Sequence, residues 1–162
     1  MNVSPSFDDS GTTYQSTRIE HWNKVAQKRD SWRGLGRWYH RRLIEVYQFL
    51  VTPNQRVLEI GCGAGWASNS MALNYGKQVT AVDFTAKALA RAGEVSRIVG
   101  TADQIEFVHS DLFAFDTRKR FDLVFSVGVL HHTNDCHAAF RHAATFVKPG
   151  GLFFVGLYHS HG

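Results

Sequence analysis

A run of glycines and a few carboxylates fall where chemistry could use them. Val57-Leu58-Glu59-Ile60-Gly61-Cys62-Gly63-Ala64-Gly65 carries a short apolar run into a glycine-rich turn. Such a turn between a strand and a helix lets a ligand lie against bare backbone at the helix N-terminus. Dinucleotide sites use similar turns, but their spacing requires glycine where Trp66 stands. Glu59, two residues before Gly61, points the same way. A carboxylate there repels a pyrophosphate and attracts a cation. At ~4 Å and an effective dielectric of ~20 the pair is worth about 4 kcal/mol before desolvation, with the ligand's charge setting the sign.

S-adenosylmethionine fits that sign, because it has no phosphate and carries an ammonium and a sulfonium. Asp83, at the end of the next apolar run, is placed to accept both hydroxyls of a ribose. Its alternative is an acid favoured by the dipole of the following helix. Phe84 lies against the adenine or belongs to the core. Asp111 accepts from the adenine amino group with Leu112 beside the ring, or is a plain loop aspartate. His131 and His132 stand where an acceptor would meet the methyl group, and a histidine there could be a general base. The plainer alternative is a histidine that bonds loop backbone or stacks on the cofactor. His131 is the catalytic candidate of the two. Tyr158-His159-Ser160-His161 could suggest a metal, but no carboxylate is near and no metal is expected.

Strand ends must be brought together to make one site of these residues. The pattern after Pro53 alternates strand and helix. Strands are expected at Arg56–Ile60, Gln78–Val82, Ile105–His109, Phe121–Ser126 and Leu152–Tyr158. Helices are expected at Trp66–Leu73, from a Thr85 cap to about Val99, and at Asp135–Val147. In the last of these, Ala139, Phe140, Ala143 and Phe146 form the buried stripe. Lys148-Pro149-Gly150-Gly151 is expected to turn the chain into the fifth strand. The result is an α/β fold, a Rossmann-like doubly wound parallel sheet between two helical layers.

With VLEIGCGAG, VTAVDFT, FVHSD, FDLVFSVGVLHHT and VKPGGLFFV in that order, residues 56–158 resemble class I S-adenosylmethionine-dependent methyltransferases. Within that class they are most similar to the small-molecule group that includes quinone-biosynthesis enzymes. The resemblance implies that Glu59, Gly61, Gly63 and Gly65 hold the methionine moiety. It gives Asp83 the ribose and Asp111 the adenine end, and lines the cofactor's other side with Ser126, Val127 and the residues to Leu130. It also implies a helical cap before the first strand that chooses substrates, with Tyr39 and His40 approaching the cofactor. The implied reaction is methyl transfer to a small-molecule oxygen, nitrogen or carbon nucleophile. The rivals are a non-catalytic binding or scaffold module of the same fold and a nicotinamide-dependent oxidoreductase. Only His159 to Gly162 follow Tyr158, whereas the family adds a sixth and a seventh strand. The fifth strand is therefore expected to present an open edge, which invites a homodimer.

At 162 residues the chain has room for one domain, and its 44% apolar and 20% charged content is that of a soluble globular protein. Residues 1–17 read as a disordered start, 18–52 as the helical cap and 53–162 as the binding domain. In the cap Trp22, Val25, Arg29 and Trp32 suggest one helix, and Tyr39, Leu43, Val46, Tyr47 and Leu50 a second. The formal charge of +4 is concentrated between Arg18 and Arg42, where eight basic residues stand against Glu20 and Asp30. That window suits an anionic acceptor or a solvated helix face, and nucleic acid is not the expected partner. No apolar run approaches the ~20 residues of a membrane span. Cys62 and Cys136 suggest no disulfide framework, which makes a cytoplasmic setting the default.

Overall fold

A computed structural model describes residues 56–158, together with Glu20, His21 and Leu50. Tyr39, His40, most of the expected cap and the His159–His161 tail lie outside the described residues. Leu50 is helical and packs against the core.

Five parallel strands form one sheet in the order β3-β2-β1-β4-β5. They are β1 (Arg56–Ile60), β2 (Gln78–Asp83), β3 (Ile105–His109), β4 (Phe121–Val127) and β5 (Val147–Gly156). The helices are α1 (Trp66–Tyr75), α2 (Ala86–Val99) and α3 (Cys136–Ala144). Two crossovers step from β1 towards β3, and the one through α3 steps the other way. Right-handed crossovers therefore place α1 and α2 on one face and α3 on the other. Each face has its own core. Val57, Ala67, Met71, Leu123 and Phe125 pack on the α1 side, and Leu58, Ile60, Val124, Ala139, Ala143 and Phe146 on the α3 side. Val57 and Leu58 are neighbours that serve opposite cores, as the two-residue pleat requires.

Several element ends differ from expectation, each for a local reason. Helix α1 continues to Tyr75, because the Asn74 side chain donates to the Ser70 carbonyl at 2.9 Å and only Gly76 breaks the pattern. Thr85 holds the cap position of α2, but its hydroxyl makes no cap bond, and its N–H donates to Asp83 Oδ1 at 2.8 Å. The Asp135 carboxylate caps α3, accepting from the Ala138 N–H at 2.8 Å, and the helix stops at Ala144 rather than Val147. Phe140 is not on the buried stripe. It is 47% exposed and lies 5.0 Å, ring to ring, from Phe153. The stripe follows Ala139, Ala143 and Phe146, and Phe140 is turned about 100° away from Ala139.

The largest departure is in β5. Val147 already pairs with Phe121, and Leu152 pairs with Leu123, so five residues of β5 pass while β4 advances two. Lys148 to Gly151 are a bulge inside the strand rather than a turn before it. Gly151 fits there because a Cβ would stand 2.9 Å from the Asp122 carbonyl, and Lys148 pairs with the Asp122 carboxylate. The strand ends at Gly156, with Leu157 and Tyr158 beyond it. No other described strand pairs with the outer side of β5; Leu152 within the strand and Leu157 beyond it are exposed.

Candidate functional site

The sheet reverses direction between β1 and β4, and open α/β sheets leave a crevice beyond the carboxyl ends of the strands at that point. Gly61 to Gly65 leave β1 on one side of the reversal, and Gly128 to His132 leave β4 on the other. Gly61 has φ +73°, and a Cβ on it would overlap the Val129 methyls, one of them at 2.6 Å. The two loops are therefore in contact across bare backbone. Gly65 packs as closely on α2, where a Cβ would come within 2.8 Å of Ala92 Cβ. Gly63, at φ +53°, differs from both, since a Cβ there meets nothing within 4 Å. Its α-carbon faces open space.

Two carboxylates flank this loop from below. Glu59 is 4% exposed and Asp83 7%. Ser68, on α1, donates its hydroxyl to Glu59 Oε2. Asp83 Oδ2 accepts from the Gly63 N–H at 2.8 Å while Oδ1 takes the Thr85 N–H. Among the described residues no lysine or arginine pairs with either acid. Burial pushes the Glu59 carboxyl up to about 7, against the Ser68 bonds and helped by the charge of Asp83. Burial likewise raises Asp83, opposed by the bonds from Gly63 and Thr85. The crevice is thus built around two desolvated acids held by neutral donors. Such a site welcomes a cation and opposes a phosphate.

The remaining candidates collect at the same end of the sheet. The Asp83 carbonyl accepts from the Ser110 N–H at 3.0 Å, which ties the end of β2 to the segment that carries Asp111. Asp111 Oδ1 accepts from the Phe113 N–H at 2.8 Å, closing a turn. Leu112 points into the α3-side core. Phe84 follows β2 half-buried, and its carbonyl meets His109 Nε2 at 3.0 Å. Ser126 is fully buried and donates to the Ile60 carbonyl at 3.2 Å, joining β4 to β1 across the reversal, with Val127 next to it. His131 lies in a short 3-10 turn, Leu130–His132, just past β4.

Three contributors were not foreseen. Ser68 holds Glu59. Asn69 donates to the Gly65 carbonyl at 2.7 Å and accepts from Ser96 and Thr101, fastening the glycine loop to both ends of a buried polar network. Tyr158 reaches the end of β4 and packs on His131. Ser68 and Asn69 lie on the first turns of the helix after the loop, and that position was the one signal the sequence offered.

The methyltransferase-domain family matches residues 58–155 of the chain. The Ubiquinone biosynthesis O-methyltransferase of Ralstonia nicotianae is 36% identical over 105 residues, covering 65% of this chain and 44% of the relative. That of Albidiferax ferrireducens is 34% identical over 122 residues, covering 74% and 48%. The chain spans less than half the length of these curated relatives. The solved structure of a SAM-dependent methyltransferase from Thiobacillus denitrificans in complex with S-adenosyl-L-homocysteine shares the fold at TM-score 0.65 and 22% identity, over 71% of this chain and 47% of that one. The N-methyltransferase NodS from Bradyrhizobium japonicum does so at 0.68 and 23%, over 85% and 70%. The [4+2]-cyclase SpnF does so at 0.66 and 23%, over 70% and 43%.

Proposed function

The chain belongs to the methyltransferase-domain family, and we propose that its crevice binds S-adenosylmethionine for methyl transfer to a small-molecule nucleophile. The observation that carries this reading is the pair of buried acids, Glu59 and Asp83, which have no cationic partner among the described residues and lie beside the open face of Gly63. Glu59 receives the ammonium side of the ligand, Asp83 the ribose, and Asp111 with Phe84 the adenine end. Ser126 and Val127 form the opposite wall. Bound there, the cofactor supplies an electrophilic methyl group on a sulfonium.

The chain's own part is mainly to hold two reactants in line, which can supply roughly 7–11 kcal/mol of a barrier. Oxygen is the favoured nucleophile, because relatives at 34% and 36% identity are named as O-methyltransferases. His131 takes the acceptor's hydroxyl proton as the oxygen–methyl bond forms and the sulfur–methyl bond breaks. Tyr39 and His40 are the residues assigned to the acceptor in this reading, and the basic charge between Arg18 and Arg42 suits an anionic one. A cytoplasmic setting belongs to this reading. No helix among the described residues is long and apolar enough to cross a membrane. So does a homodimer through the β5 edge, which sedimentation velocity tests.

A second reading, a module that binds the cofactor without transferring methyl, is supported by the shared fold of a [4+2]-cyclase. Turnover of S-adenosylmethionine separates the two. For the cofactor itself, Asp83→Ala is expected to weaken S-adenosylhomocysteine binding by about 1.5–3 kcal/mol, the worth of a hydrogen bond to a charged group. Calorimetric titration measures this. An unchanged affinity in a cooperatively folded Asp83→Ala protein would take the ribose role from Asp83.

A further inference from the structure

Three rings meet beyond β4 and β5, and the cofactor-binding residues do not use them. The His131 ring lies 4.0 Å from that of His132 and 4.7 Å from that of Tyr158. Both ring nitrogens of His131 are buried and neither has a hydrogen-bond partner among the described residues. Tyr158 is 66% exposed, so its ring packs on His131 with its other side open to solvent. In this seat the ring rests on the bare α-carbon of Gly128. A Cβ there would meet the phenol oxygen at 2.7 Å and Cζ at 3.1 Å. Gly128 is itself fixed by its N–H, which donates to the Gly156 carbonyl at 2.8 Å.

A neutral imidazole has one donor and one acceptor nitrogen, and burying both unmet is costly. The ring is therefore held by packing in a place where its polar atoms lack partners among the described residues. We infer that Tyr158 is a positioning residue for His131. Seated on bare Gly128, its ring keeps the imidazole dry and in one orientation, so that the nitrogens meet an acceptor's hydroxyl rather than bulk water. The acceptor's role rests on the proposed methyl transfer, whereas the shielding of His131 does not. The phenol hydroxyl bonds to none of the described residues. The ring is thus the working part, and phenylalanine should replace it.

Diethylpyrocarbonate, which acylates accessible imidazole nitrogen, tests this on the whole chain by peptide mass mapping, with the exposed His137 as internal standard. In the parent protein His131 should react roughly tenfold or more slowly than His137, as expected if Tyr158 swings away in no more than about a tenth of molecules. Tyr158→Ala should bring the two rates together, and Tyr158→Phe should keep His131 protected. Gly128→Ala displaces the same ring from below and should expose His131 as well. Equal rates in the parent, continued protection in Tyr158→Ala, or exposure in Tyr158→Phe would each overturn the inference. S-adenosylhomocysteine should raise the melting temperature of parent and Tyr158→Ala alike. Failure to do so in both strikes the cofactor reading and leaves the shielding result standing.

Discussion

Gly61→Ala is expected to destabilise the domain by about 2–5 kcal/mol, whereas Gly63→Ala should cost only about 1 kcal/mol and instead remove ligand binding. Both glycines hold positive φ, +73° and +53°, so a side chain at either is strained. The difference lies in what the new methyl meets. At Gly61 it overlaps Val129, which is fixed in the neighbouring loop, and the two loops must part. At Gly63 it meets nothing within 4 Å and enters the space where a ligand would touch the backbone. Urea unfolding of the two variants reads the first effect, and titration with S-adenosylhomocysteine reads the second, as a loss of at least about tenfold for 1.4 kcal/mol. If Gly63→Ala bound as tightly as the parent, the ligand would not lie against this loop.

Glu59→Gln should make the protein more stable above neutral pH and a poorer binder. The folded-state value of about 7 is raised from 4.5, so the folded domain keeps a proton that the unfolded chain loses. The contribution of Glu59 is therefore fully favourable below about 4.5 and is lost as pH rises through about 7. At pH 8 the burial of the charged form costs on the order of 3 kcal/mol, which glutamine removes while still accepting from Ser68. Asp83, also raised, acts in the same direction. A cationic ligand reverses the balance by favouring the ionised acid. Binding of S-adenosylhomocysteine should then tighten about tenfold from pH 6 to pH 8 and release a proton near pH 6. In Glu59→Gln that pH dependence should vanish. Equal affinity across the range in the parent would show that Glu59 does not face the ligand's ammonium.

The parts of this fold legible in the sequence are those decided locally. A buried parallel strand is a mostly apolar run, so β1 could be bounded to the residue, and the edge strand β3 by its Ile105, Phe107 and Val108. The glycine loop declared itself because left-handed backbone needs glycine. The misplaced ends have a different origin. Pro149, Gly150 and Gly151 are turn residues by chemistry, yet Val147 and Leu152 both pair with β4, so the sheet absorbs them as a bulge. Phe140 fits a helical stripe by period, but the small Ala139 and Ala143 make the contact and leave it outside. In the site, strand ends bearing Glu59 and Asp83 could be found from spacing. Ser68, Asn69 and Tyr158 could not, because the partners Glu59, Ser96 and His131 lie 9, 27 and 27 residues away and are chosen by packing.

The most direct test is isothermal titration of the chain with S-adenosylhomocysteine and, in parallel, with a nicotinamide dinucleotide. Two buried acids with no cation beside them among the described residues should accept the first, which bears an ammonium and no phosphate, and refuse the second. Saturable binding of S-adenosylhomocysteine with no heat from the dinucleotide is the predicted result. Binding of the dinucleotide, or no binding of S-adenosylhomocysteine by a folded protein, would contradict it.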